Sequence, residues 1–235
     1  MNMNKSALLR ISLFGGFFIV LCAISLAIGA QDISWLTLTA SRFPRLAALV
    51  LTGVGLSVCG VILQHIVRNK FVEPATSGGL DAAKLGILVA LTMIPTSSNL
   101  IRMLFALLFC FASSLIFVGM VSRIRLKSTV LIPVIGLMYG GVLSAIAEYY
   151  AYHNNILQSM QGWMLGDFSK IVQGNYEIIY LILPIVVLTY LYAQRFTMLG
   201  MGEGIAKSLG LNYTATVVLG LILVAVTVAS TVITV

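Results

Sequence analysis

The sequence predicts an all-α protein, a polytopic bundle of transmembrane helices, and three observations carry that reading. Sixty per cent of its 235 residues are hydrophobic and only 9% are charged, against about 45–50% and about 25% in soluble domains. Apolar stretches near the ~20 residues a helix needs to cross a bilayer core recur along the whole chain. The basic residues lie between these stretches and favour one side. A water-soluble domain of this length cannot hide so much apolar area, because folded surface shrinks too slowly with size. Disorder and a disulfide-stapled secreted scaffold are excluded with it.

About seven spans follow in order. Ile11 to Ala30 is the first and Leu46 to Ile66 the second. The third run, after Lys84, is shorter and breaks at Pro95, so its helix starts near Ser77. Met103 to Val121 is the fourth, and Val130 to Tyr149 the fifth. Pro133 sits in the fifth span's first turn, where a missing N–H costs little. Ile178 to Ala193 is the sixth, with Pro184 as its expected kink. Thr214 to Val235 is the seventh, and an apolar end without a polar tail predicts a chain that is C-terminally incomplete.

Loop charges give direction. Lys5, Arg10, Arg68, Lys70, Arg123, Arg125, Lys127, Arg195 and Lys207 flank one side, with Lys84 near it, while Arg42, Arg45, Arg102 and Lys170 flank the other. Excess Lys and Arg marks the cytoplasm, which puts the N-terminus inside and the seventh span's end outside. The net charge of +7 therefore reads as topogenic, not as a nucleic-acid surface, since the bases form no stripe along one groove.

The remaining inventory is structural. Cys22, Cys59 and Cys110 sit within apolar runs and read as small buried hydrophobes. Gly53, Ser57 and Gly60 share one helix face, and Gly136 and Gly140 form a G-x-x-x-G pair; both patterns predict close helix packing. His65 and Glu148 lie near span ends, and Asp81 and Lys84 read as a self-neutralising i, i+3 pair. No H-E-x-x-H, Cys/His cluster or G-x-S-x-G motif occurs, so no enzyme is predicted. The stretch GMGEGIAKS has Ala206 where a phosphate loop needs glycine, so the chain binds no nucleotide itself. Active transport would draw its energy from a partner.

Three segments carry a family resemblance. SRFPRLAALVLTGVGLSVCGVILQHIVRNKFVEPATSGG, Ser41 to Gly79, resembles the R-[LF]-P-R…Q-x-x-x-R-N stretch of ferric-siderophore and cobalamin ABC importer permeases. QGWMLGDFS, Gln161 to Ser169, is similar to that family's W-x-x-G-x-[FL] segment, and GMGEGIAKSLGLN, Gly200 to Asn212, to its L-G-x-x-x-A-x-x-L-G cytoplasmic loop. Lys70 stands where the commoner form has proline, a variant that resembles the subgroup importing ferric catecholate-type siderophores, petrobactin-like ligands among them.

The resemblance implies one transmembrane permease domain over residues 1–235, supplying about seven of the ten spans of a type II ABC importer fold. It implies a bacterial inner-membrane subunit beside a second permease, a paralogue or a second copy. Two ATP-binding subunits carrying ATP and magnesium and a substrate-binding protein complete the assembly. The cargo is a ferric siderophore, and this chain is expected to hold no cofactor, metal or catalytic residue. Arg42 and Arg45 are expected to dock the binding protein, against the plainer reading of interfacial snorkelling. Gly202, Glu203, Ala206, Lys207, Leu209 and Gly210 are expected to couple to the ATPase, against an ordinary basic loop. Asn69, Lys70 and Phe71, with Ser128 and Thr129, are expected to form the cytoplasmic gate. The competing reading is an ion-coupled secondary transporter of a small solute.

Overall fold

The computed structural model describes residues 5–28, 34–123, 131–158, 160, 166–174 and 176–235. Helix makes up 83% of it, and no strand occurs among the described residues. The order is α1 (Lys5–Ala27), α2 (Phe43–Val67), α3 (Gly79–Met93), α4 (Asn99–Arg123), α5 (Leu131–His153), α6 (Ile182–Leu191), α7 (Ala193–Gly200), α8 (Glu203–Ser208) and α9 (Tyr213–Thr234). Over its described residues each of the seven expected spans coincides with helix, the sixth beginning as the 3₁₀ turn Glu177–Leu181. Four helical runs are long and apolar enough to cross a membrane, Trp35–Val67, α4, α5 and α9, and the bent pair Glu177–Leu191 plus α7 makes a fifth. The protein is a multi-pass membrane protein.

Helix α9 forms the centre. Thr216, Gly220, Leu221, Val224, Ala225, Thr227 and Val228 are buried against α2, α3 and α4. Two of its buried hydroxyls bond back to their own helix, Thr227 Oγ1 donating to Leu223 O at 2.9 Å and Ser230 Oγ to Thr227 O at 2.9 Å, while Thr231 Oγ1 has no partner among the described residues. Hydroxyls in a membrane core need such partners, because no water is there to supply them. Cys59 and Cys110 are fully buried among apolar neighbours. Helix α1, in contrast, exposes Phe14, Phe17 and Ile19 and meets the bundle mainly through α2 and the turn before it.

Two glycine patterns behave differently. A Cβ at Gly136 would run into the carbonyl oxygen of Thr76, and one at Gly140 would lie 2.8 Å from Asp81 Oδ2. That G-x-x-x-G face of α5 therefore packs on the start of α3, as expected. The Gly53, Ser57, Gly60 row is a correction: among the described residues nothing lies within 4 Å of a Cβ at Gly53 or Gly60. The close approach on α2 is made by Gly55, whose Cβ would meet Thr227 Cγ2 at 2.8 Å. Periodicity gave three small residues a common face but could not say that another face meets α9.

The sixth span bends elsewhere than expected. Helices α6 and α7 meet at 63°, and the joint is Tyr192 (φ −96°, ψ 5°). Pro184 sits in the first turn of α6, just after the 3₁₀ turn Glu177–Leu181, where its missing N–H breaks little. At the joint the Arg195 guanidinium carbon lies 4.8 Å above the Tyr192 ring.

Candidate functional sites at the two ends of the bundle

One end of the bundle is built around the SRFPR motif. Ser34 starts a helical run with a capping box, its Oγ accepting from Thr37 N at 3.1 Å while Thr37 Oγ1 accepts from Ser34 N at 2.9 Å. The run then widens into a π-helical turn, Leu38–Arg42, immediately before Pro44. Proline has no N–H to give the carbonyl four residues back, and its ring crowds that carbonyl. The carbonyl of Ala40 is thereby left open, and Gln173 N donates to it at 2.9 Å. Arg45 Nη2 donates to Ser169 O at 3.2 Å. Pro44 and Arg45 together fasten the loop over residues 166–174 to the head of α2.

That loop is internally tied. Asp167 Oδ1 accepts from Ser169 N at 2.9 Å and caps the turn Phe168–Lys170. This bonding from Ser169, aided by nearby Lys170, holds the Asp167 carboxyl below its ordinary value. Glu177 Oε1 accepts from Gly174 N at 2.7 Å and its Oε2 from Tyr176 N at 3.1 Å. Gln161 to Leu165, the first part of the tryptophan-bearing segment, lies outside the described residues.

Arg42 does something the sequence did not suggest. It is buried, at 9% exposure, and its Nη1 donates to Leu26 O at 2.6 Å and Ala27 O at 3.0 Å. Those are orphan carbonyls at the C-terminal end of α1, where a cation also offsets the helix dipole. Arg42 thus holds α1 to α2, while Arg45, half-buried, lies nearer the surface.

The opposite end gathers the remaining candidates. Gly202, with φ +105° and ψ 158°, precedes α8, a conformation essentially reserved to glycine. Helix α8 closes in a Schellman turn, Gly210 N donating to Lys207 O at 2.9 Å and Leu211 N to Ala206 O at 3.0 Å. Gly210 has φ +81°, and Ala206 and Leu211 supply the buried apolar contact that accompanies this motif. Lys207 Nζ pairs with Glu203 Oε1 at 2.7 Å across one exposed turn. With both ends fixed, α8 holds Leu209 outward at 57% exposure. Met201 and Ile205, not among the expected residues, are similarly exposed at 51% and 55%. Their spacing of four to Leu209 and to each other is the signal that would have found them.

The RNKF stretch lies beside α8. Arg68 ends α2 in the left-handed region (φ 55°), and a Cβ at Gly202 would be 3.0 Å from its Nη1. Asn69 is buried, and its Oδ1 accepts from Phe71 N at 2.9 Å. Its amide shapes the turn, while Lys70 and Phe71 project outward. A cavity of about 640 Å³, lined by Arg68, Ser122, Glu203 and Thr214 among others, opens at this end between α2, α4, α5 and α9. Ser128 and Thr129 lie outside the described residues.

Comparison with known proteins matches this architecture to one family. Residues 5–235 match the FecCD transport family. The chain is 61% identical over 229 residues to the ferric-anguibactin transport system permease protein FatD of Vibrio anguillarum, covering 93% of this chain and 73% of that protein. It is 42% identical over 228 residues to the petrobactin import system permease protein YclN of Bacillus subtilis, covering 92% and 72%. Among solved structures it resembles a metal-chelate type ABC transporter in an inward-facing conformation, with a TM-score of 0.73 and 24% identity over 95% of this chain and 75% of that one. That last likeness concerns fold alone. The chain belongs to the FecCD transport family.

Proposed function

We propose that this chain is the membrane permease subunit of an ATP-driven importer that carries ferric siderophores into a bacterial cell. The relatives named for ferric anguibactin and petrobactin support a siderophore cargo, and the Lys70 variant favours a catecholate type. The chain works beside a second permease subunit, a paralogue or a second copy. Two separate ATP-binding subunits hydrolyse the ATP, and a binding protein delivers the ligand. It lies in the inner membrane with its N-terminus in the cytoplasm, as the excess of basic loops on that side favours.

One observation carries this reading: α8 is a short helix, fixed at both ends, that presents Ile205 and Leu209 outward. Apolar side chains held rigidly out at a water-facing end are what a partner's groove takes up. We place the ATPase there. On the outer face, Arg45 and the loop it fastens form the surface for the binding protein, and Arg42 supports that surface from beneath. Lys70 and Phe71 line the inner opening, with Ser128 and Thr129 as the companion loop.

The test is uptake of radioiron-labelled ferric siderophores in a deletion strain complemented with the full-length protein. Uptake that requires the partner ATPase and survives an uncoupler supports the importer. Uptake that collapses with the uncoupler and ignores loss of the ATPase would instead mark an ion-coupled carrier.

A further inference from the structure

The bend between α7 and α8 is gripped by two side chains from the end of α2. His65 lies in the last turn of α2, and Arg68, three residues on, is its C-cap. An ideal Cβ on Gly200 would lie 2.5 Å from His65 Nδ1, and one on Gly202 would lie 3.0 Å from Arg68 Nη1. Real Cβ atoms essentially never come within 3.0 Å of a neighbour, so the His65 ring fills the space a side chain at 200 would need. His65 is half-buried, and its flat, compact ring has few torsions through which to move aside.

The bend has little freedom of its own. Helix α7 closes with Met201 N donating to Met198 O at 3.1 Å and Gly202 N donating to Leu199 O at 3.1 Å. Helix α8 opens at once, Ala206 N donating to Gly202 O at 2.9 Å. Met201 and Gly202 alone separate the two helices, so the direction of α8 follows from where Gly200 and Gly202 are held. Deeper in the bundle, Ile62 and Ile66 of α2 and Phe196 of α7 close on Gly220 of α9, each 3.0 Å from where its Cβ would be. All three side chains are buried, and a close-packed interior transmits strain instead of absorbing it. That junction fixes the body of α7, while His65 meets its last residue, at the start of the bend.

We propose that His65 is a positioning residue for ATP-driven transport: it wedges against Gly200, sets the direction of α8, and makes a push on α8 move the end of α2. The inference rests on the reading of α8 as the ATPase seat and names a residue that makes the seat effective. Without the ring a gap opens at the contact. A gap of about 0.5–1 Å already forfeits a quarter to a half of the attraction between packed atoms, and the bend closes it before α2 moves. The turn after α2 reports such a movement, because its amides are bonded to the helix end and to each other. Asn69 N donates to Gln64 O at 3.1 Å, Phe71 N to Asn69 Oδ1 at 2.9 Å and Val72 N to Asn69 O at 3.4 Å.

Two measurements on the full-length protein keep the contact and its role apart. Thermal unfolding in detergent reads the contact. Gly200→Ala should lower the midpoint when His65 is present, because the new methyl meets the ring. In the His65→Ala background the same change should be neutral or stabilising, since there is room and alanine favours a helix. The role is read in nanodiscs with the partner ATPase, as the change that ATP and magnesium produce in hydrogen exchange at Asn69, Phe71 and Val72. His65→Ala should retain the ATPase as the wild type does, because Ile205 and Leu209 are untouched, yet the ATP-driven change should shrink about threefold or more. His65→Asn, whose amide stands near the place of Nδ1, should restore it. A merely structural His65 would instead lower ATPase retention and the midpoint together, which overturns the proposal. So would a full ATP-driven change in His65→Ala, no restoration by His65→Asn, or equal effects of Gly200→Ala in both backgrounds. A wild type that retains no ATPase would overturn the reading of α8 as its seat, and this inference with it.

Discussion

The Arg68 guanidinium lies against Gly202, so close that a Cβ at 202 would be 3.0 Å from Arg68 Nη1. Arg68 ends α2 and Gly202 begins α8. Any displacement of α8 must therefore reach the end of α2 and the RNKF turn behind it. His65 adds to this joint, its Nδ1 lying 2.5 Å from where a Cβ on Gly200 would sit. The proposed ATPase, seated on α8, would have a short physical route to the cavity at that end of the bundle.

Gly202→Ala tests that joint. Alanine at φ +105° costs about 1–3 kcal/mol and pushes on Arg68. Gly204→Ala is the control, since its Cβ meets nothing within 4 Å among the described residues and alanine favours a helix. Thermal unfolding in detergent should show the first variant destabilised and the second neutral or slightly stabilised. Equal midpoints for the two would contradict the close approach.

Arg42 and Arg45 should separate by assay. Arg42→Ala strips α1's last carbonyls of their donor, and the loss of a charged hydrogen bond costs about 1.5–3 kcal/mol. It should lower the unfolding midpoint whether or not a binding protein is present. Arg45→Ala should leave the midpoint nearer the wild type and reduce affinity for the binding protein, measured by surface plasmon resonance. The reverse pattern would mean that Arg42 is the docking residue.

Pro44→Ala restores an N–H that competes for the Ala40 carbonyl now accepting from Gln173. The π-helical turn should relax toward an α-helix and the loop over residues 166–174 should loosen. Hydrogen exchange is expected to rise at Gln173 and its neighbours while the core of α9 stays protected. Unchanged exchange at Gln173 would refute this account of the proline.

Asp167 gives the same loop a pH dependence. Its folded carboxyl is held below the ordinary 3.8 by Ser169 first. The depressed value means the cap contributes fully above the ordinary carboxylate range and is lost as pH falls through the lower folded value. Exchange at Ser169, corrected for its intrinsic pH dependence, should therefore stay slow near neutrality and rise below about pH 4. Asp167→Asn, which cannot titrate, should flatten that rise.

The spans were legible because lipid leaves little freedom: an apolar run of bilayer length has few fates other than a helix. The local shape of the segment over residues 200–212 was legible, since Gly202 and Gly210 mark positions that need positive φ, and α8 lies between them. What stayed hidden was tertiary. Arg42 turns inward because the end of α1 happens to lie beside it, and no spacing encodes that neighbour. The bend falls at Tyr192, which carries no glycine or proline signal, while Pro184 is absorbed in a first turn. The row of Gly53, Ser57 and Gly60 shows a face without showing what meets it.

The central claim is that an external ATPase drives this chain through α8. It is tested most directly by replacing the outward apolar side chains, Ile205→Asp with Leu209→Asp, in the reconstituted full-length transporter. ATP-dependent uptake of ferric siderophore into proteoliposomes is measured together with the amount of ATPase retained on the membrane. The account predicts that the bound ATPase falls at least about tenfold, as for loss of a central apolar anchor, and that uptake is lost with it while the permease stays folded. Normal ATPase binding and normal uptake in that double variant would contradict it.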